Sequence, residues 1–280
     1  MKQKKFGTGG PDVSVIGQGT WYLDRGDRKA AVAALRCGID LGMTHIDTAE
    51  MYGDAELVIA DAIAELPREK LFLVSKVLPS NASRRGTIAA CERSLKRLGT
   101  DHLDCYLLHW RGSYPFEETV AAFDELVAAG KIRSWGVSNF DADDLGEMLA
   151  ITGKGKIACN QVLYHLQERA IEYSVIPWCE QHGVAVVAYS PFGHNEFPSP
   201  RGNAGEVLQA IADAHKASAR QVALAFLTRA PSVFAIPKAS RAEHAADNAG
   251  AGNLKLSDSE IATLDKAFPR GPKPRSLPML

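Results

Sequence analysis

Short apolar bursts of four to seven residues recur along the 280-residue chain, separated by longer stretches whose apolar side chains return at helical spacing. Such alternation is the pattern of βα units, and few architectures can be built from it. The bursts read as strands at Val13–Gly17, Thr44–Asp47, Leu71–Lys76, Leu103–His109, Ile132–Val137, Ile157–Gln161, Val184–Tyr189 and Ser232–Ile236. Helical spacing runs over Arg28–Leu41, Ala55–Leu66, Arg84–Leu98, Phe116–Ala129, Asp141–Ile151, Tyr173–Gln181, Gly205–His215 and Ala219–Arg229. No Pro/Ser-rich linker or charge block divides the series, so the expectation is one α/β domain over residues 1–280. Its fold class is a (β/α)8 TIM barrel with an N-terminal extension and an extra C-terminal helix.

An open doubly wound sheet would need a phosphate loop after an early strand. The best candidate, Gly17-Gln18-Gly19-Thr20-Trp21-Tyr22, has Tyr22 where the third glycine belongs. Gly153 and Gly155 likewise lack the Lys-Ser/Thr ending of a nucleotide-binding P-loop. Lys plus Arg number 32 against 33 Asp plus Glu, so no net field gathers nucleic acid or an anionic membrane, and neither is expected as a partner. No run of about 18 apolar residues is present to span a bilayer. The five cysteines are scattered and never form C-x-x-C, which argues against a disulfide frame or zinc knuckle. The opening MKQKKFGTGG has no apolar core of a secretory signal. A cytoplasmic protein, monomeric rather than oligomeric, is the expectation.

Barrel enzymes carry their reactive groups at the carboxyl ends of strands. Here those ends hold Asp47, Lys76, His109, Ser138 with Asn139, Asn160 with Gln161, Tyr189 with Ser190, and Lys238, while Tyr52 lies five residues beyond Asp47. Singly each has a bland reading, a lysine reaching solvent or a packed tyrosine. Jointly they bring ionisable groups from several strands to one rim. A phenol titrates near 10, so it is a weak acid until something stabilises its anion. Lys76 could supply that charge, Asp47 could hold Lys76 protonated, and His109 could donate to the same substrate oxygen. The set suits an oxygen that becomes negative, as in reduction of a carbonyl by hydride, and a hydride needs a carrier such as reduced nicotinamide.

At these residues the sequence resembles the aldo-keto reductase family. His45-Ile46-Asp47-Thr48-Ala49-Glu50-Met51-Tyr52-Gly53 is similar to its D-T-A-x-x-Y signature, and Leu71–Lys76 to its strand bearing the catalytic lysine. Leu107-Leu108-His109-Trp110 is similar to its histidine-tryptophan ending, and Gly136-Val137-Ser138-Asn139-Phe140 to its G-V-S-N-F segment. Ile236-Pro237-Lys238-Ala239-Ser240-Arg241, running on to Asn248, is similar to its I-P-K motif. The likeness extends from about Phe6 to Phe268, closest to short bacterial-type members, including those that reduce diketo sugar acids.

The resemblance implies Tyr52 as proton donor, Lys76 and Asp47 as its tuning pair and His109 as orienting donor. It implies Ser138, Asn139 and Gln161 on a nicotinamide carboxamide, Tyr189 stacked on the ring with Ser190 beside it, and Lys238, Ser240 and Arg241 around the adenosine phosphate. Asn248 would hold the adenine. NADPH is the implied cofactor, with NADH possible because His244 stands where many members carry a second arginine. Trp21 and Trp110 are the leading pocket candidates for a small carbonyl substrate, with Tyr22, Phe116 and Phe192 beside them. Pro191–Gly205 is long and punctuated by glycine and proline, the character of a mobile loop over the site.

Other chemistries fit less well. Gly136–Phe140 begins like a nucleophile elbow but ends in Phe140 where glycine is required. The eight histidines show no H-x-H and no H-E-x-x-H, so no metal is expected. The alternative of another class is a slow nucleotide-binding sensor or regulatory subunit on the same barrel, although a pure binding role would not require all four catalytic candidates.

Overall fold

The computed structural model describes Met1–Leu280. Two short strands, β1 (Gln3–Lys5) and β2 (Asp12–Ser14), pair antiparallel as a hairpin ahead of the main sheet. Eight parallel strands follow in sequential order: β3 (Gln18–Gly19), β4 (His45–Asp47), β5 (Phe72–Val77), β6 (Leu103–Leu108), β7 (Ile132–Ser138), β8 (Ile157–Leu163), β9 (Ala185–Tyr189) and β10 (Val233–Ala235). The edges meet. Ile16 bridges to Ala235 and Gly19 to Lys238, both parallel, and the Gly17 and Gly19 amides donate to Ala235 and Pro237, closing the (β/α)8 barrel. Gly19 allows that closure, because a Cβ there would sit 2.6 Å from the Ile236 carbonyl oxygen.

The burst at Val13–Gly17 therefore divides: its first residues belong to the hairpin, and the first barrel strand begins beyond it, at Gln18. The reason lies in Phe6 and Val13, which pack with Phe72, Val74 and Phe234 inside the barrel and close its floor. The Phe6 ring lies 4.6 Å from Phe72 and 5.2 Å from Phe234. Lys4 Nζ fastens the hairpin by donating to the carbonyls of Thr228, Ala230 and Val233.

Around the sheet run α1 (Arg28–Asp40), α2 (Ala55–Ile63), α3 (Arg84–Leu98), α4 (Phe116–Ala128), α5 (Ala142–Thr152), α6 (Val175–His182), α7 (Asn203–Ala214), α8 (Ala219–Leu227), α9 (Ala242–Gly250) and α10 (Asp258–Ala267). Polar side chains start several of them: Asp27, Ser83 and Asp141 cap α1, α3 and α5, and Ser218 and Ser257 form capping boxes at α8 and α10. Alternation along the strands sends Phe72, Val74, Cys105, Leu107, Val187 and Phe234 into the barrel. Leu73, Tyr106, Leu108, Val186 and Ala235 face the helices and form the larger core there. The inward column of each strand ends at the mouth, so the residues that close the bursts converge. No helix is long and apolar enough to cross a membrane.

Candidate active site

Asp47 ends β4 and Lys76 lies near the end of β5, on neighbouring strands whose register pairs Asp47 with Val74. Lys76 is fully buried, and its Nζ donates to Asp47 Oδ1 at 2.6 Å and to the Thr48 carbonyl at 2.7 Å. Its third neighbour is the Tyr52 hydroxyl, 3.5 Å away. Gln161, two residues before the end of β8, donates Nε2 to the other Asp47 oxygen at 2.7 Å. A buried ion pair survives desolvation only with such full bonding. Burial alone would lower the Lys76 pKa, but the Asp47 charge, the Tyr52 oxygen and its bonds to both outweigh it, so the net shift is upward and the ammonium is held charged.

From the sequence, the Lys76 ammonium is expected to take the leading part in tuning Tyr52. In the folded chain burial is larger: it raises the Tyr52 pKa, and Lys76 offsets only part of that rise. Tyr52 therefore stays protonated, with a cation beside it that would stabilise the phenolate once the proton leaves. The His109 ring lies edge-on to Tyr52, centroids 5.8 Å apart. Burial, reinforced by the Lys76 charge, pulls the His109 pKa down to about 2 and leaves a neutral imidazole. Its buried Nδ1 has no hydrogen-bond partner in the protein.

These groups border a cleft of about 220 Å³ at the carboxyl ends of the strands, lined by Asp47, Tyr52, His109, Ser138, Asn139, Gln161, Tyr189, Ser190, Lys238, Trp21 and Trp110, among others. Its polar wall is internally bonded. Ser138 donates to the Gln161 carbonyl, Asn139 Nδ2 to the His109 carbonyl, and the Tyr189 hydroxyl to Asn139 Oδ1 at 2.9 Å. Asn160, the neighbour of Gln161 on β8, is not in that wall: its side chain binds both backbone groups of Phe140 and fixes the turn beneath Asn139. Asn139 and Ser190 both adopt positive φ, 61° and 46°, an arrangement that non-glycine residues keep only where their surroundings impose it.

The I-P-K residues divide between cleft and surface. Lys238 is exposed and lines the cleft, while Ser240 is half-buried at the approach to α9. Arg241 is the N-cap residue of α9, and its Nε lies 3.0 Å from Glu243 Oε1. Its Nη2 is 2.7 Å from His244 Nε2, so the histidine accepts from the guanidinium. Asn248 is buried on the same helix.

Of the aromatic candidates, Trp21 and Trp110 reach the cleft, whereas Tyr22, Phe116 and Phe192 are not in its lining. Tyr22 stacks under Trp21 at 4.3 Å, Phe116 is buried beside Phe140, and Phe192 packs against Phe197. The segment after β9 does reach over the mouth, for the His194 ring lies 5.8 Å from Trp21. Sequence reasoning missed Met51 and Leu280, both lining the cleft. Met51 was visible inside the D-T-A-x-x-Y segment; nothing marked Leu280.

Comparison with known proteins agrees with this architecture. The chain is 52% identical over 275 residues to methylglyoxal reductase YeaE of Escherichia coli K12, covering 96% of each. It is 33% identical over 226 residues to an NADH-specific methylglyoxal reductase of the same strain, covering 68% of this chain and 67% of that one. The crystal structure of an aldo-keto reductase from Klebsiella pneumoniae in complex with NADPH superposes with a TM-score of 0.91 at 46% identity, covering 100% of this chain and 99% of that one. Residues 15–268 match the model of the Aldo/keto reductase family, and the chain belongs to that family of oxidoreductases.

Proposed function

We propose that the protein reduces aldehyde or ketone carbonyls to alcohols with NADPH, Tyr52 giving the proton. The observation that carries this reading is the buried Lys76 ammonium, bonded to Asp47 and lying 3.5 Å from a hydroxyl that opens onto the cleft. A bound reduced nicotinamide would supply the hydride that no side chain can. The residues present suit such a group. Gln161 spends one Nε2 hydrogen on Asp47 and retains its other hydrogen and Oε1, a donor and an acceptor for a carboxamide. Ser138 and Asn139 adjoin it, Tyr189 offers a ring face, and Ser190 continues the wall. Lys238, Ser240 and Arg241, with the uncapped start of α9, suit the adenosine phosphate, leaving His244 and Asn248 for the adenine.

The substrate oxygen would meet Tyr52 and His109. Neutral His109 donates one hydrogen bond and orients the carbonyl; Tyr52 transfers its proton as the oxygen gains charge; Lys76 stabilises the phenolate left behind. Trp21, Trp110 and Met51 give the pocket a mainly apolar wall, suited to small uncharged carbonyls. Two relatives named as methylglyoxal reductases make an α-oxoaldehyde the first substrate to test.

The test is NADPH oxidation with methylglyoxal, followed by absorbance, in the parent and in Tyr52→Phe. Tyr52→Phe is expected to bind NADPH normally and lose turnover by about 100-fold or more, the scale of general acid catalysis. Near-normal kcat at saturation would refute Tyr52 as the acid. No turnover by the parent with any of a panel of carbonyls would favour the nucleotide-binding reading.

A further inference from the structure

Behind Tyr52 lie two carboxylates that the proposed chemistry does not use. Glu50 and Glu56 bracket the tyrosine in sequence, and their side chains are only 11% and 2% exposed. A carboxylate that deep is costly unless fully bonded. Both are, from β5 or the turn that leaves it and from α3, Asn81 Nδ2 also donating to Glu50 Oε1 at 3.0 Å. Glu56 Oε1 accepts from the Ser75 hydroxyl at 3.0 Å, and its Oε2 from Arg97 Nε at 3.0 Å. Glu50 Oε1 accepts from the Leu78 amide at 2.7 Å, and its Oε2 from Arg93 Nη2 at 3.1 Å.

Ser75 and Leu78 flank Lys76 on β5 and its exit, and the Glu50 amide donates to the Lys76 carbonyl itself. Arg93 and Arg97 are four apart on α3, hence on one face of that helix. Arg97 also reaches the Gly53 carbonyl and Asp54 Oδ1, the residues just after Tyr52. Gly53 turns with φ of +54°, a conformation that side chains rarely adopt, and the next amide, Asp54, donates to Asp24 Oδ2 at 3.2 Å. The segment carrying the proton donor is thus tied on both sides to the strand carrying its ammonium, through carboxylates held by two arginines.

We infer that Glu50 and Glu56, held by Arg93 and Arg97, are positioning residues that set the Tyr52 hydroxyl against Lys76. The inference rests on Tyr52 being the acid. None of the four lines the cleft, so their removal would act on the alignment of proton transfer and leave substrate contacts intact. A misplacement of about 1 Å at a reacting group costs up to about 100-fold in rate.

The experiment is a double-mutant cycle in the full-length chain, with NADPH and methylglyoxal. Arg97→Lys keeps the charge but cannot bond Glu56, Asp54 and Gly53 together; Ser75→Ala removes a single bond and serves as the milder variant. Arg97→Lys is expected to lower kcat about 10-fold and Ser75→Ala about threefold, with KM and the NADPH dissociation constant within about twofold of the parent. In a Tyr52→Phe background the Arg97→Lys change is expected to cost nothing further, since both act through one group. An equal cost in both backgrounds, or kcat within about twofold of the parent in both single variants, would overturn the inference. If Tyr52→Phe by itself turns over normally, the acid assignment fails, and the clamp fails with it.

Discussion

At one end of the candidate site Lys76 and Gln161 are buried and both bonded to buried Asp47, while at the other Lys238 at the edge of the cleft and Arg241 and His244 at the start of α9 stand in solvent. Both ends present cations, yet the physics differs. The Lys76 ammonium has given up hydration for three fixed oxygens, so its charge acts at short range in a medium that screens little. Arg241 is 60% exposed and shares its donors with Glu243 and His244, partners that water and salt can replace. On the proposed chemistry, the first end would meet a charge that appears during reaction and the second a charged group that arrives from solvent. Substitutions at the first should cost orders of magnitude, and at the second small factors.

The sharpest way to break this contrast is Lys76→Met. Turnover is expected to fall by more than about 100-fold, since the phenolate loses its stabiliser. Stability is expected to fall by about 3 to 5 kcal/mol, because Asp47 remains buried without its partner. Adding Asp47→Asn should restore much of the stability, read by urea unfolding, and none of the turnover. Restored turnover in the double variant would mean that the pair only holds the fold together.

Acid should expose the buried interior next, at the mouth through His109 and at the barrel floor through His45. His109 and His45 have pKa values lowered to about 2 and about 3, in both cases first by burial and then by the Lys76 charge. In the unfolded chain each would titrate near 6.5, so between roughly pH 3 and 6.5 the unfolded state binds more protons and stability falls as pH falls. Each histidine contributes a slope of about 1.4 kcal/mol per pH unit in that window. His45→Phe is expected to remove one such slope, measured as unfolding free energy against pH, since the ring sits among Phe6, Phe72 and Phe234 with both nitrogens unpartnered. An unchanged slope would mean that protonated His45 finds a partner in the folded chain.

How legible each region was in the sequence follows the same division. Strand ends announced Asp47, Lys76, His109 and Gln161, because a barrel maps the end of an apolar burst onto the mouth. The helices at Arg84–Leu98 and Arg28–Leu41 were visible from the spacing of their apolar residues, the second ending one residue earlier in the structure, at Asp40. The first strand was misjudged: one apolar burst served both a floor hairpin and the barrel wall, and periodicity does not reveal such a division. The clamp on Tyr52 was invisible because Glu50, Glu56, Arg93 and Arg97 look like ordinary solvent-facing charges until α3 is packed against the loop. Leu280 reaches the cleft through tertiary structure alone.

At the exposed end, Arg241→Ala is expected to reduce the preference for NADPH over NADH by about tenfold, one charge-assisted pair of roughly 1.5 kcal/mol. His244→Arg is expected to raise it, because a guanidinium replaces a ring that accepts a bond from Arg241. The measurement is the ratio of dissociation constants from quenching of tryptophan fluorescence. Equal binding of the two cofactors by the parent would remove the phosphate assignment and leave the reacting end untouched.

The smallest effect belongs to Glu243. Its carboxylate lies 3.0 Å from Arg241 Nε, with both side chains more than half exposed. It therefore competes for the guanidinium that a ribose phosphate would engage, and adds a negative charge near that phosphate. Exposed pairs are worth about 0.2 to 1 kcal/mol, so Glu243→Gln is expected to tighten NADPH by no more than about fivefold while NADH binding stays the same. The gain should shrink at high salt, where screening has already weakened the competitor. A gain larger than about tenfold and insensitive to salt would place Glu243 in a buried contact with the cofactor, and the contrast between a dry reacting end and a wet phosphate end would then fail.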